Sequence, residues 1–564
     1  MYKKMNKALL SLLIFLSVFG GLLAQSTNVP LDKDYYHLIE RYEILYGKFA
    51  PQFHAMVKPI QRQYIAAFTD SLLDSQLENP SKTDIFNLRY LSNDNWIWSK
   101  YNFNESKKPV FKIFYRKKSD LYHVDIKDFD LHVNPILYLS GGKESNSDVT
   151  TYTNTRGLEL RGNIAKKIGF YSYITTTQAT YPLYVRKWIK KNTVVPGEGF
   201  WKSFKENGVD YYTARAYISF DLLKNYINTQ FGYDNGFRGT GYRSMELSDF
   251  SPGYTFLKFN TKVWRINYTN VFAQIVADAY GNSGGSLGGS YPVKFMASHH
   301  LSFNITDNLN IGFNETVIIG DSTGSAFDIG YLNPIIFYRA LEHQRGSQNN
   351  VIVNMDFKWN FARHFSIYGQ LTLDEFILNE IKSGNGWWGN KWGYQAGIKY
   401  INAFGLANLD LQMEYNVVRP YTFSHLDAFN NVAHYRQPLV HPLGANFKEL
   451  IGIIRYQPTG RLTLRAQLNY ARYGEDTLNS NWGKNVMLSY TTREQDYDNK
   501  IGQGVDTKLI YGDLILTYQL AHNMFFDLRY VYRKLKSELA DRNSLTNWYS
   551  LSMRWNIART IHDF

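Results

Sequence analysis

Leu462-Thr-Leu-Arg-Ala-Gln-Leu-Asn-Tyr470 alternates apolar and polar residues along its whole length. Leu462, Leu464, Ala466, Leu468 and Tyr470 fall on one side of an extended strand. Thr463, Arg465, Gln467 and Asn469 fall on the other, because successive strand side chains point to opposite faces. The pattern recurs where Leu409, Leu411, Met413, Tyr415 and Val417 interleave with Asp410, Gln412, Glu414 and Asn416. It recurs again where Tyr549, Leu551, Met553, Trp555 and Ile557 interleave with Ser550, Ser552, Arg554 and Asn556.

A soluble sandwich would turn the oily face inward, so alternation alone leaves the orientation open. Length decides more. These stretches run about ten residues, the span of a tilted membrane strand, against about 5–6 for an ordinary soluble strand. Tyr470, Tyr473, Trp548 and Trp555 stand at strand ends, where amphipathic rings suit a membrane interface.

Working outward, the connections alternate short and long. Tight turns are expected near residues 521–523, 458–460, 401–406, 360–363 and 307–309. Long loops are expected near 535–547, 473–506, 418–447, 376–390, 321–350 and 277–293. Short turns at one end and long loops at the other are the grammar of an outer-membrane barrel. About twenty candidate strands lie between Lys108 and Ile557; the first two, near Val110–Tyr115 and Leu121–Ile126, are short and leave eighteen if they stand outside the ring. The expected fold is an all-β transmembrane, antiparallel barrel of about 18 strands (16–20) with a small N-terminal helical element. Phe564 at the end of the chain suits the terminal aromatic common in such barrels.

Composition agrees with this reading. The 564 residues include 44 Tyr, 36 Phe and 12 Trp, and charged residues reach only 20%. Mean hydropathy is −0.36, which excludes a bundle of membrane helices. With no cysteine, disulfide frameworks, thiolate metal sites and a cysteine nucleophile are excluded. The formal net charge of +13 is spread along the chain without the basic run that tracks nucleic acid, so no nucleic-acid partner is expected.

Residues 1–24 read as a signal peptide, with Lys3, Lys4 and Lys7 before an apolar stretch ending in small residues. Residues 25–107 form the expected helical, periplasmic segment. Tyr36, Leu38, Ile39, Tyr42, Ile44 and Leu45 make one apolar stripe at helical spacing, and Met56, Ile60, Tyr64, Ala67 and Phe68 make another. Residues 108–564 form the barrel, with long loops at the surface of a Gram-negative cell.

Adjacent His299 and His300 point to opposite faces of a strand and make a poor metal pair. His425, His434 and His441 share a loop with Asp427, but their spacings match no zinc template, and no metal or cofactor is expected. Gly281–Ser290 lacks the lysine of a phosphate loop and reads as a flexible external loop. Ser298, His300 and Asp249 could serve a barrel hydrolase, although nothing in their spacing requires it, and the chain is read as a non-enzyme. Asp356, Lys358, Glu414, Arg465, Arg529 and Arg554 are expected to face the lumen and pair their charges there, closing it.

Two loops are dense in ordered chemistry and are expected to fold over the mouth. Phe231–Pro252 carries Asp234, Arg238, Tyr242 and Arg243 among tight-turning glycines. Residues 419–441 carry Arg419, Tyr421, His425, His434, Tyr435 and Arg436, and Trp387 and Trp388 add rings nearby. Aromatic faces stack on sugars while Arg, Asn and Asp bind hydroxyls and carboxylates, so these residues form the expected glycan-binding set.

Four segments carry a family likeness: Gly239-Thr-Gly-Tyr-Arg-Ser-Met-Glu-Leu-Ser-Asp249, Asn333-Pro-Ile-Ile-Phe-Tyr-Arg339, Arg419-Pro-Tyr-Thr-Phe-Ser-His425 and His434-Tyr-Arg-Gln-Pro-Leu-Val-His-Pro-Leu-Gly-Ala-Asn446. In them the chain resembles the Wzi superfamily of capsule-assembly outer-membrane barrels, and more closely its RemB-type gliding-motility relatives. The resemblance implies eighteen strands, a periplasmic helical element and a plugged lumen. On the Wzi side it implies a surface lectin tethering acidic capsular polysaccharide, and on the RemB side a cell-surface motility component. Expected partners are outer-membrane lipid, surface polysaccharide and other cell-envelope proteins. The alternatives are a porin, a part of a gliding or secretion apparatus, and a barrel hydrolase.

Overall fold

The computed structural model describes residues 26–75, 80–145, 147–277, 291–320, 329–335, 337–346 and 349–564. The expected signal peptide and the Gly281–Ser290 segment lie outside the described residues.

Eighteen antiparallel strands close into one barrel. In chain order they are β1 (Phe129–Glu144), β2 (Thr150–Ile164), β3 (Ile168–Thr180), β4 (Gly208–Leu223), β5 (Ile227–Asp234), β6 (Tyr254–Val263), β7 (Ile266–Val276), β8 (Val293–Asn304) and β9 (Leu309–Ile319). They continue as β10 (Asn350–Phe361), β11 (Phe365–Glu375), β12 (Lys391–Tyr400), β13 (Leu409–Val418), β14 (Phe447–Thr459), β15 (Leu462–Glu475), β16 (Val505–Ala521), β17 (Met524–Ser537) and β18 (Ser544–Trp555). Each strand pairs with its sequence neighbour, and β18 closes on β1 through Trp555 opposite Leu137. Closure leaves no unpaired edge, which a strand crossing lipid requires.

The strand that opened the sequence reading shows which way the faces turn. In β15, Leu464, Leu468 and Tyr470 are exposed, whereas Arg465, Gln467 and Asn469 are buried. Polar side chains thus point inward and apolar ones outward, the reverse of a soluble core. No helix among the described residues is long and apolar enough to cross a membrane. The short strand Tyr122–Ile126 pairs only with β1, outside the closed ring, and Val110–Tyr115 forms turns rather than a strand.

At the short-turn end sits a helical element made of α1 (Lys33–Tyr46), α2 (Arg62–Ser75) and α3 (Lys82–Asp94). Asp32 caps α1 by accepting from the amides of Asp34 and Tyr35, and Gly47 ends it in the left-handed conformation. Ser81 and Asp84 form a capping box on α3. Ile39, Tyr42, Ile65, Phe68, Leu72, Leu88 and Leu91 make its core. Met56 and Ile60, expected on the second helix, precede it. There Val57–Lys58 pairs instead with Phe237–Arg238.

Polar contacts fasten this element to the short turns. Asn87 donates to Gln457 at 2.8 Å, the Phe49 amide donates to the Asp307 carbonyl at 2.7 Å, and Arg41 reaches Asn408 at 3.1 Å. Lys358 of β10 meets Glu43 of α1 at 2.7 Å inside the barrel. The last residues leave β18 at Trp555 and turn back into the lumen, where Phe564 packs against Trp188 and Phe250.

Candidate functional site

Three segments fold inward and meet in the lumen: the loop between β5 and β6, the loop between β13 and β14, and the tail after β18. The first is held by side chains of the wall. Glu414 accepts from the amides of Tyr242 at 2.6 Å and Arg243 at 3.0 Å, Gln370 from Met245 at 2.8 Å, and Lys399 donates to the Thr240 carbonyl at 2.7 Å. Gly239, at φ +103°, allows this approach; a Cβ there would lie 2.6 Å from Gln370 Nε2.

Arg243 is the knot of the assembly. Its guanidinium donates to Glu449 at 3.0 Å and Asp563 at 2.9 Å, so loop, wall and tail share one buried cation. His441 completes the cluster at 2.8 Å from Glu449. Burial by itself raises the Asp563 carboxyl, but Arg243 and Lys33 outweigh it and hold the group well below the usual carboxylate range.

The expected lumen residues Asp356, Lys358, Glu414, Arg465, Arg529 and Arg554 are all buried. Arg529 meets Asp513 at 2.8 Å and Arg554 meets Asp527 at 2.7 Å. Glu414 and Asp356 differ: Glu414 binds backbone amides, Asn416 and the Tyr368 hydroxyl, and Asp356 binds His300 at 2.6 Å, in place of a lysine or arginine.

Beside this plug, a cavity of about 290 Å³ follows the inner face of β1–β4. It reaches from Thr180 and Glu198 at the long-loop end to Asp34 and Arg559 beside the helices. Thr155, Thr175, Thr177 and Thr213 offer hydroxyls, Tyr173 and Tyr211 offer rings and phenols, and Arg215 offers a cation. Asp249, Tyr242 and Arg243 close its inner side. Such a lining can hydrogen-bond hydroxyls and stack on the apolar faces of a sugar.

At the long-loop end, Phe200 stacks on Tyr291 with ring centroids 4.4 Å apart, and Tyr435 meets Phe200 at 5.4 Å. Tyr291 is 46% exposed. Gly197 and Glu198, just before Phe200, line the cavity. Of these rings only Tyr435 stands in the expected glycan-binding set; nothing in the local sequence marks Phe200 and Tyr291. They come from two other loops, and only tertiary folding joins them.

The remaining expected residues divide by environment. Asp234, Arg238, Tyr242 and Arg243 lie buried within the barrel rather than on an open loop face. Arg238 donates to Ser298 at 2.7 Å and to Asn314, and Asp234 lies 3.7 Å from Arg215. Tyr421 is buried, its hydroxyl donating to the Asn481 carbonyl at 2.9 Å. Half-buried Trp388 is wedged between Tyr490 at 4.7 Å and the Arg493 guanidinium at 4.2 Å, with Trp387 tilted beside it at 5.6 Å. Arg419 donates to the Trp387 carbonyl at 3.3 Å.

The histidines act separately. His434 accepts from the Val276 amide at 2.9 Å and donates to the Gly253 carbonyl at 3.0 Å, which uses both ring nitrogens. Burial pushes its ring down to about 4, so it is neutral at pH 7. His425 accepts from the Asp427 amide at 3.3 Å, and Arg436 bonds Thr193. The hydrolase trio is not assembled: Ser298 bonds Arg238, Asn314 and Thr316, His300 bonds Asp356, and Asp249 lies near Lys33.

No family model and no curated protein matches the chain. Among solved structures it is similar to Wzi, described as a carbohydrate-binding outer-membrane β-barrel involved in group 1 capsule assembly in Escherichia coli. The TM-score is 0.56 and the identity 12%, over 96% of this chain and 100% of that one. It is also matched, more distantly, to Pseudomonas aeruginosa OprD, with TM-score 0.41 and 12% identity over 75% of this chain and 94% of that one. Acinetobacter baumannii OccAB2 gives 0.41 and 8% over 75% and 97%. At these identities the likeness establishes the fold: an outer-membrane β-barrel of the architecture seen in Wzi.

Proposed function

We propose that the protein is a non-enzymatic outer-membrane barrel that binds or organises surface polysaccharide at its long-loop end. The observation that carries this reading is the ring cluster of half-buried Phe200 and Tyr435 with exposed Tyr291, beside the hydroxyl- and arginine-lined cavity. Rings recognise the apolar faces of sugars, Thr and Tyr hydroxyls their polar edges, and Arg215 a carboxylate on an acidic sugar. The likeness to Wzi, itself described as carbohydrate-binding, supports the same reading. In this arrangement residues 25–107 lie in the periplasm, residues 1–24 are the export signal and the long loops face the medium.

The test is retention of the purified, detergent-folded barrel on an array of acidic and neutral surface glycans. Saturable retention on at least one acidic polysaccharide is expected. A folded barrel retained on none would overturn the proposal. The four family-like segments favour a second reading, a RemB-type motility component. Deletion that abolishes surface spreading while leaving surface polysaccharide retention unchanged would select it.

A further inference from the structure

Glu246, on the lumen loop, converges with His300 of β8 and Asp356 of β10 in the barrel interior. One ligand atom from each lies within 4.8 Å of the other two. Glu246 is 6% exposed, His300 0% and Asp356 1%. His300 Nε2 and Asp356 Oδ2 are 2.6 Å apart. Glu246 Oε1 and Oε2, Asp356 Oδ1 and His300 Nδ1 meet no donor or acceptor partner among the described residues when both carboxyls are ionised; only a proton shared between Glu246 and Asp356 would join them. A fully buried carboxylate with neither oxygen satisfied is costly unless something positive stands against it.

The surroundings supply too little. After the His300 ring, Arg238 is the cation that acts most on Glu246; its Nη1 is directed to Ser298 and Asn314, and its Nη2 has no hydrogen-bond partner among the described residues. With both carboxyls ionised, one arginine leaves the group one positive charge short, a balance that either a shared proton or a bound cation restores.

The backbone also makes room for the cluster. Asp356 pairs with Gly312 of β9, and a Cβ on Gly312 would lie 2.3 Å from Asp356 Oδ2 and 2.5 Å from Oδ1. The absent side chain lets the carboxylate lie flat across β9 towards His300. From the other side, Gln370 and Thr372 hold the backbone of Met245, immediately before Glu246, at 2.8 and 3.2 Å. Wall and loop both fix the ligands in advance.

We propose that Glu246, His300 and Asp356 bind a first-row divalent metal ion that staples the lumen loop to the barrel wall. One imidazole and two carboxylates match the donor preferences of Zn²⁺ and Mn²⁺, and water completes the shell. Ligands at about 2.0–2.2 Å from a shared ion require the three side chains to close by no more than about 1 Å. Binding releases to solvent the proton between His300 and Asp356 and any proton shared by the Glu246 and Asp356 carboxyls, and the ion satisfies the freed oxygens.

The test uses the full-length folded barrel, stripped with EDTA, incubated with ZnCl₂, desalted and assayed for bound metal by mass spectrometry. One equivalent of zinc is expected in the wild type, with imidazole scattering in its X-ray absorption spectrum. At least tenfold weaker binding is expected in Glu246→Gln and Asp356→Asn. Gly312→Ala, which keeps all three ligands but displaces Asp356, weakens binding too. No zinc retained by the wild type, zinc without an imidazole ligand, or equal retention in Glu246→Gln would each overturn the proposal. The wild-type results stand even if a variant fails to fold. A zinc-free wild type would mean that a shared proton holds the two carboxyls together.

Discussion

Arg243 shows what a single residue contributes to a plugged barrel. Its one charge answers Glu449 on the wall and Asp563 on the tail, all three buried. Arg243→Ala leaves two buried carboxylates without their cation, a loss of about 3–5 kcal/mol by the usual cost of breaking a buried pair. The expected result is a lower temperature for the heat-induced gel shift, with Arg243→Lys intermediate. An unchanged shift temperature would show that the cluster adds no stability. At this scale much was legible in advance. Period two placed Arg465, Arg529 and Arg554 on the inner face, and separated His299, stacked on Tyr338, from the inward His300. Partners were not legible, because those of Arg243 lie in segments hundreds of residues away in sequence.

Among the elements, α1 and the body of α2 were legible as helix from their apolar stripes, whereas Met56 and Ile60 fall before α2, and the docking of the segment rests on isolated polar residues. Glu40 of α1 lies between Lys58 at 2.6 Å and Lys399 of β12. Burial alone raises the Glu40 carboxyl; Lys399 and Lys58 outweigh it and hold the group below the usual carboxylate range. Asp94 of α3, which pairs with Arg62 and His522, is depressed in the same way against its own burial. Both bind protons less readily docked than released, so their contribution is complete above about pH 4–5 and is lost as pH falls below that range. Protection factors for amide exchange in α1 and α3, each taken against the intrinsic rate at the same pH, are therefore expected to fall at pH 3 relative to pH 7, while those of the barrel strands stay high. Equal protection at both values would contradict this. The loop between β5 and β6 was legible as ordered, from its glycines and charges. Its place inside the lumen was not, because it is set by Gln370, Lys399 and Glu414 on distant strands.

For the whole molecule, the alternating loop lengths gave strand number and ring order, since closure follows once each strand pairs with its neighbour. The outer face predicts lipid contact. Leu468, Leu514, Leu528 and Leu551 are exposed near the middle of their strands. Leu514→Arg is expected to destabilise folding into vesicles by about 2–4 kcal/mol, the cost of a cation on a lipid face near the midplane. An unchanged folding yield across a urea series would argue against that belt. The helices, the lumen loop and the tail fill the interior among the described residues. Purified barrel in planar bilayers is therefore expected to show no large single-channel steps, and sustained steps would favour a porin.

The central claim is recognition of polysaccharide by the ring cluster above the cavity. It is tested most directly by titrating an array-selected acidic polysaccharide into the folded barrel and into a Phe200→Ala/Tyr435→Ala double variant, following heat on binding. Saturable binding is expected for the wild type and at least tenfold weaker binding for the variant, with the heat-induced gel shift unchanged. Equal affinity in the two proteins would contradict it.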